Sequence, residues 1–302
     1  MGTGHHHGDT GRPRLAVAFG IIAALVVTQA VGTIITGSLA LLVDTAHMIT
    51  DAGGLLLALV AATVMHRPVS DRYTWGLRRT EVLSAMLQAG LLLGVGVFAL
   101  VEGIRRLVEP PPVAAESLLV FGVIGLAANI AAMVVLASHR RANLNMQAAF
   151  IEVLADALGS VAVIVSAVLM QTLGWNRADA VAALVIAAMI IPRTAALLRE
   201  SFGILLENTP KGVDLDDIRA HIIEVPHVVG VHDLHVTRIS SDLPVLTAHV
   251  VVEDGCFTDG HTAQMLAQLQ SCVAEHFELS IEHSTFQIEP ESNRVRENVH
   301  HD

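Results

Sequence analysis

Between Leu39 and Met65 the chain reads LALLVDTAHMITDAGGLLLALVAATVM. A helix needs about 20 residues to cross a hydrocarbon core, and this run exceeds that. It nevertheless carries Asp44, His47 and Asp51. Ionisable groups are costly inside a bilayer and mark ion or proton pathways there. Similar apolar runs lie on both sides. Leu15 to Val43 contains no charge, and Gly37 and Ser38 mark a turn within it, so one span is expected from about Leu15 to Ile35 and the next from Leu39 to Met65. Val82 to Val101, Ser117 to Ser138 and Ala142 to Leu173 supply three more, and Asp179 to Leu198 a shorter sixth. The first run is too long for the apolar region of a signal peptide, and no small-residue cleavage site follows it, so a retained helix is expected.

Composition agrees with a membrane protein. Of 302 residues, 53% are hydrophobic and 16% charged, against about 25% charged in ordinary soluble domains. The first 207 residues balance 13 basic against 13 acidic side chains, whereas the remainder carries 5 basic and 16 acidic ones. A neutral apolar part joined to an acidic part offers no basic surface for nucleic acid. The two cysteines, Cys256 and Cys272, are too few for a disulfide scaffold or a thiolate cluster. No G-x-x-x-x-G-K-[ST] motif supports nucleotide-driven work, and no organic cofactor or enzymatic chemistry is implied.

Arginine placement sets the expected topology, because basic residues accumulate in cytoplasmic loops. Arg12 and Arg14 precede the first span. Arg67, Arg72, Arg78 and Arg79 fill the second loop, Arg140 and Arg141 the fourth, and Arg193 and Arg199 end the sixth span. All fall on one side; Arg177 and the pair Arg105 and Arg106 lie on the other. Both termini are therefore expected in the cytoplasm, in a multi-pass protein of the cell inner (plasma) membrane.

From Asn208 onward the pattern is that of a small soluble domain. Asp214, Asp216 and Asp217 crowd the start of a helix carrying Leu215, Ile218, Ile222 and Val225. Two β-type runs, Val231 to Ile239 and Val245 to Val252, are joined by the turn-like residues from Ser240 to Pro244. A second amphipathic helix with Leu266, Leu269, Val273 and Phe277 precedes a strand from Ile281 to Ile288. The order α-β-β-α-β suits a ferredoxin-like α+β layer. The expected organisation is a cytoplasmic tail over 1–14, a six-helix transmembrane domain over 15–200, a cytoplasmic ferredoxin-like domain over 208–290 and a tail over 291–302.

The chemistry is expected within the spans. His47 and Asp51 stand four apart on one helical face, and Glu152 and Asp156 repeat that spacing in the fifth span. Two such helices can converge four nitrogen and oxygen ligands on one ion, the number that Zn²⁺ takes. Neither span contains lysine or arginine to neutralise the acids. Polar glue between helices is the competing interpretation, and intramembrane acids without basic partners weigh against it. Asp44 suits helix packing or gating as well as it suits a ligand. Asn129 reads as packing glue. Asp179 reads as a cap or orienter of the sixth helix, or as a guide for ions in the outer vestibule.

With these residues in view the chain resembles the cation diffusion facilitators of the zinc, cobalt and cadmium efflux type. The resemblance runs nearly end to end. It is carried by SLALLVDTAHMITD at Ser38 to Asp51, YTWGLRRTE at Tyr73 to Glu81, NLNMQAAF at Asn143 to Phe150 and VLADALGS at Val153 to Ser160. It continues through ESFGILLENTP at Glu200 to Pro210 and VHDLHV at Val231 to Val236. It implies a metal/proton antiporter of six helices plus a cytoplasmic ferredoxin-like domain, working as a homodimer, with His47, Asp51, Glu152 and Asp156 as the transport site. Zinc transporters of that family usually have histidine at the position of Glu152, and many relatives have tryptophan at that of Thr237. The oxygen at 152 leaves Cd²⁺, Co²⁺, Mn²⁺ and Fe²⁺ beside Zn²⁺ as cargo, because carboxylates suit harder ions and imidazole suits Zn²⁺. His232, His249 and His261 resemble positions that bind regulatory metal in some relatives, while Gln287 is a poor ligand near another such position. Ordinary surface histidines are the alternative. His5, His6 and His7 could collect metal or simply form a solvated tail, and neither the lone His139 nor His66 with Asp71 makes a second site. The function expected is proton-coupled export of a divalent transition metal across the bilayer. A metal-responsive membrane sensor signalling through its cytoplasmic domain is the alternative, and a passive channel a third.

Overall fold

The computed structural model describes residues 12–65, 69–137, 144–258, 260–275 and 280–293. The expected tail histidines His5, His6 and His7, together with His66, His139, Arg140, Arg141 and Phe277, lie outside the described residues. Six long helices come first: α1 (Arg12–Thr36), α2 (Leu39–Met65), α3 (Arg79–Val108), α4 (Ala115–Ala137), α5 (Leu144–Leu173) and α6 (Ala178–Leu205). Among the described residues, α3, α4, α5 from Phe150 and α6 are long and apolar enough to cross a membrane. Val27, Ile34, Leu87, Val101, Val134 and Leu173 stand exposed along these helices, as side chains facing lipid would.

The sixth helix is longer than expected. The expected span ended at Leu198, yet the helix passes through Pro192 and runs to Leu205. Proline removes one donor from a helix interior and bends it without necessarily ending it, a loss that membrane helices tolerate. The turn between α1 and α2 lies where it was expected. Gly37 adopts a left-handed φ of 66° and donates to the carbonyl of Thr33 at 3.0 Å, which closes α1.

The chain divides into two compact units, residues 1–56 with 87–196 and residues 57–86 with 197–302, so α2, α3 and α6 each contribute to both. In the first unit Leu39, Leu41, Leu118, Val163 and Ile186 pack with Ala99, Ala167, Ala183 and Ala187. Small residues let membrane helices approach closely, which supplies the packing that lipid-matched apolarity cannot.

At one end of that unit Asp179 occupies a place that differs from the expected one. It does not cap α6, whose first turn it occupies. Its carboxylate accepts from Ser38 Oγ at 2.5 Å, from the Leu39 amide at 2.7 Å and from the Ala40 amide at 3.4 Å. It therefore caps α2, whose first amides have no partner within their own helix. Arg106 joins the same knot, 4.0 Å from Asp179 and donating to the Gly37 carbonyl at 2.9 Å. Arg105 and Arg106 both bond Glu102. The two arginines that break the charge asymmetry of the loops are thus held in a structural clasp.

In the second unit α7 (Leu215–Ile223) is capped by Asp214, which accepts from the Asp216 amide at 2.9 Å. It is followed by β1 (Val228–Ser240), β2 (Leu243–Val252), α8 (Thr262–Glu275) and β3 (His283–Pro290). The expected α-β-β-α-β order is present. The hairpin turn is tighter than expected, with Leu243 and Pro244 already in β2. The sheet order is β1-β2-β3, antiparallel then parallel. Ile218, Ile222, Leu234, Leu246, Val250, Leu269, Val273 and Ile281 form its core. On α8 the buried stripe starts at Met265 rather than the expected Leu266, because Met265, Leu269 and Val273 keep one face at spacings of four. Residues at and just before the start of α3 also make contacts within this unit. Arg79 pairs with Glu207 at 2.8 Å, Ser241 Oγ donates to Glu81 at 2.5 Å, and the rings of Trp75 and His283 meet edge-on at 4.7 Å.

Candidate functional site

α2 and α5 bring the four expected residues together. His47 and Asp51 are one turn apart on α2, and His47 Nε2 lies 3.3 Å from Asp51 Oδ2. Across the helix interface the same nitrogen stands 3.9 Å from Asp156 Oδ1. Glu152, one turn from Asp156 on α5, meets the carboxyl group of Asp51. One imidazole and three carboxylates thus face one another across two helices. His47 and Asp156 are 8% and 6% exposed. Asp156 Oδ1 has no hydrogen-bond partner. A buried carboxylate oxygen left without a donor is what a site for a cation presents, since the ion supplies the missing partner.

Two further residues shape the site, and the sequence reading missed both. Gln88 of α3 donates from Nε2 to Asp51 Oδ1 at 3.5 Å. It fits because α2 has glycine at 54, where a Cβ would stand 2.0 Å from Gln88 Cδ. A lone glutamine in the apolar run Val82 to Val101 was the signal. The second is Arg193 of α6, whose Nη2 stands 3.7 Å from Glu152 Oε1. The expectation that no basic group neutralises these acids is therefore corrected. Spans α2 and α5 lack one, as their sequences show, but α6 supplies it from the turn after Pro192. Its side chain is 63% exposed, so it approaches the site from the outside of the helix pair.

Asp44 lies one turn from His47 toward the α1–α2 turn, fully buried, with Oδ1 against Gly159 of α5. Asn129 behaves as packing glue, donating to Ser160 Oγ at 3.3 Å.

In the second unit β1 and β2 pair His232 directly with His249, and their rings stand 4.9 Å apart. Glu289 of β3 bridges them, 3.5 Å from His232 Nε2 and 2.9 Å from His249 Nδ1. The register slips between His232 and His235, and Asp233 there takes a left-handed φ of 47°. That bulge turns its carboxylate back to 3.3 Å from His232 Nδ1. Ligand atoms of His232, Asp233 and His249 lie within 4.8 Å of one another. His261 is not in this group; its ring packs at 6.0 Å from that of His227 at the start of α8. Glu289 and Asp233 are the acids that sequence reasoning passed over, whereas Gln287 donates to Glu289 at 2.5 Å and so orients it.

Comparison with known proteins agrees with this architecture. The Cation efflux transmembrane domain matches residues 15–206, and the Cation efflux protein cytoplasmic domain matches residues 210–291. The metal cation efflux system protein CzcD of Cupriavidus metallidurans is 36% identical over 291 residues, covering 96% of this chain and 90% of that protein. The cadmium, cobalt and zinc/H(+)-K(+) antiporter of Bacillus subtilis is 32% identical over 293 residues, 96% of this chain and 93% of that one. The zinc transporter ZitB of Escherichia coli is 35% identical over 283 residues, 93% of this chain and 88% of that one. With both domains matched in order and relatives aligned nearly end to end, the chain belongs to the cation efflux family, a family of membrane transporters.

Proposed function

We propose that the protein exports a divalent transition metal, Zn²⁺ above all, from the cytoplasm in exchange for protons. The observation that carries this is the meeting of His47, Asp51, Glu152 and Asp156 from two membrane helices, with Asp156 Oδ1 left unpartnered. Two relatives, one named for zinc and one for cadmium, cobalt and zinc, support the cargo, and the second, named as an antiporter with protons and potassium, supports the coupling. The ligands bind metal only when deprotonated, so ion entry expels protons and returning protons expel the ion. Rocking of helices about a fixed site then exposes the ligands to each side in turn. We place the protein in the inner membrane as a homodimer with both termini cytoplasmic, and assign the domains as 15–200 and 208–290.

The cluster of His232, His249, Asp233 and Glu289 fits a second, regulatory Zn²⁺, since two imidazoles and carboxylates are a common zinc donor set. His261 belongs to that assignment only if its side chain turns away from His227.

The test is transport by the purified full chain in sealed vesicles, with Zn²⁺, Cd²⁺, Co²⁺ and Mn²⁺ offered under an imposed pH gradient. Uptake of Zn²⁺ should rise with the gradient, and calorimetry in buffers of different ionisation enthalpy should show release of at least about one proton per metal. Flux indifferent to the gradient means a channel, and binding without flux means a sensor; either overturns the proposal.

A further inference from the structure

The two carboxylate oxygens of Asp51 have different partners. Oδ2 lies 3.3 Å from His47 Nε2, on the side where the four ligands meet. Oδ1 accepts from Nε2 of Gln88 on α3, at 3.5 Å. A hydrogen bond of that length holds little by itself, but the amide is also seated against the backbone of α2. Gly54 stands three residues after Asp51, on the same helical face. A Cβ there would come within 2.0 Å of Gln88 Cδ, 2.2 Å of Oε1 and 2.3 Å of Nε2. At neighbouring Gly53 such an atom would meet nothing within 4 Å. Glycine weakens a helix interior relative to alanine, and at 54 that loss makes room for one side chain. Gln88 is the one polar residue between Ser84 and Glu102. A polar group is expensive in such a span, and this one is placed where Asp51 stands.

A carboxylate that grips an ion with both oxygens fills two places in its coordination shell, and one that uses a single oxygen fills one. With Oδ1 given to Gln88, Asp51 keeps Oδ2 for the metal. One donor each from His47, Asp51, Glu152 and Asp156 then makes four, the number Zn²⁺ takes. Mn²⁺ takes six, mostly oxygen, so a second oxygen from Asp51 would move the site toward it. Groups that hydrogen-bond a ligating carboxylate fix its orientation and tune the metal it holds. We propose that Gln88, seated on Gly54, is a specificity-determining residue that limits Asp51 to one metal-facing oxygen and so favours four-coordinate Zn²⁺ over Mn²⁺. The proposal rests on the transport site assigned above and adds the residue that sets how many donors that site offers. Gln88 acts through Asp51 and is a positioning residue. A packing role is the competing account, and it weakens both ions together. A direct ligand role would weaken Mn²⁺ more than Zn²⁺, because the amide oxygen would then be one of the extra donors.

The test uses the full chain in sealed vesicles at fixed pH, with Zn²⁺ uptake measured against rising Mn²⁺. The first readout is the ratio of the Mn²⁺ inhibition constant to the KM for Zn²⁺. The second is the visible absorption of bound Co²⁺ in detergent, from which the spectrum of Asp156→Ala is subtracted to remove metal held elsewhere on the chain. Co²⁺ absorbs strongly in a tetrahedral site and faintly in a six-coordinate one. Gln88→Leu, which keeps bulk but has no donor, should lower the ratio by about threefold to tenfold, as the loss of one hydrogen bond does, and should weaken the Co²⁺ bands. Gly54→Ala, which displaces the amide and leaves Gln88 and every ligand in the sequence, should do the same. The double variant should shift no further than the larger single, because both substitutions act through one contact. If one single variant does not fold, the other decides. A ratio or a spectrum that stays at its wild-type value overturns the proposal, even where both ions bind more weakly. A rise in the ratio overturns it in favour of a ligand role, and additive shifts in the double variant overturn the link to Gly54. A wild-type chain that takes up no Zn²⁺ and shares the Co²⁺ spectrum of Asp156→Ala sinks the transport site itself, whereas unmoved variants of an active wild type sink this proposal alone.

Discussion

Replacing Arg193 by glutamine should tighten metal binding. Arg193 Nη2 lies 3.7 Å from Glu152 Oε1, and a metal–oxygen bond adds about 2 Å, so the guanidinium stands roughly 6 Å from a bound ion. A divalent cation and a unit charge at that distance repel by about 1.4 kcal/mol in a water-like dielectric. That end of the range applies because the arginine side chain is 63% exposed. Removing the charge should therefore raise Zn²⁺ affinity about tenfold. Titration calorimetry at about pH 8 suits the comparison, since proton competition for the ligands is weak there. The gain should shrink in 1 M salt, where the screening length is about 3 Å. Unchanged or weaker affinity in Arg193→Gln at low salt would refute the placement of Arg193 opposite a cation site. The functional corollary is slower release, so turnover should fall as affinity rises.

Asp51→Ala or Asp156→Ala should abolish metal transport while the chain remains folded, because each removes a ligand together with a costly intramembrane charge; wild-type flux from either variant in vesicles counts against the assigned site. Glu152→His should move selectivity toward Zn²⁺ and away from Mn²⁺ and Cd²⁺, and it also removes the ion pair with Arg193; side-by-side uptake with an unaltered order would place residue 152 outside the ligand set. Asp179→Ala strips the cap from α2 and leaves Ser38 Oγ and the Leu39 amide without their acceptor, which should cost about 2–4 kcal/mol. Denaturant unfolding in detergent checks this, and a loss under about 1 kcal/mol would show that the clasp is dispensable.

Much of the site was legible because helical spacing is a local property. His47 with Asp51, and Glu152 with Asp156, share faces by virtue of the spacing of four alone, and the cost of acids in lipid marks the helices worth pairing. What came from elsewhere in the chain was not legible. Arg193 sits after a proline and read as a loop-side topology residue, since nothing in the α6 sequence says which neighbour its guanidinium reaches. Asp179 sits in the first turn of α6, where a local cap is the default, yet it caps α2 because the six helices bring the two ends together. In the cytoplasmic domain the β-type runs and their order were read from alternation. The bulge that turns Asp233 onto His232 was not, because a one-residue slip in register leaves the hydrophobic pattern on either side intact.

The Asp179 cap also constrains the order of assembly. The Leu39 amide and its acceptor are separated by 140 positions in the chain, and the last span must be made before that bond can form. During synthesis α2 enters the bilayer with the Leu39 and Ala40 amides unanswered, and its first turn is finished only when α6 arrives. A nascent chain stalled short of α6 therefore holds both ligand-bearing helices but an unfinished end on one of them. That end of α2 is therefore completed late, by the last span.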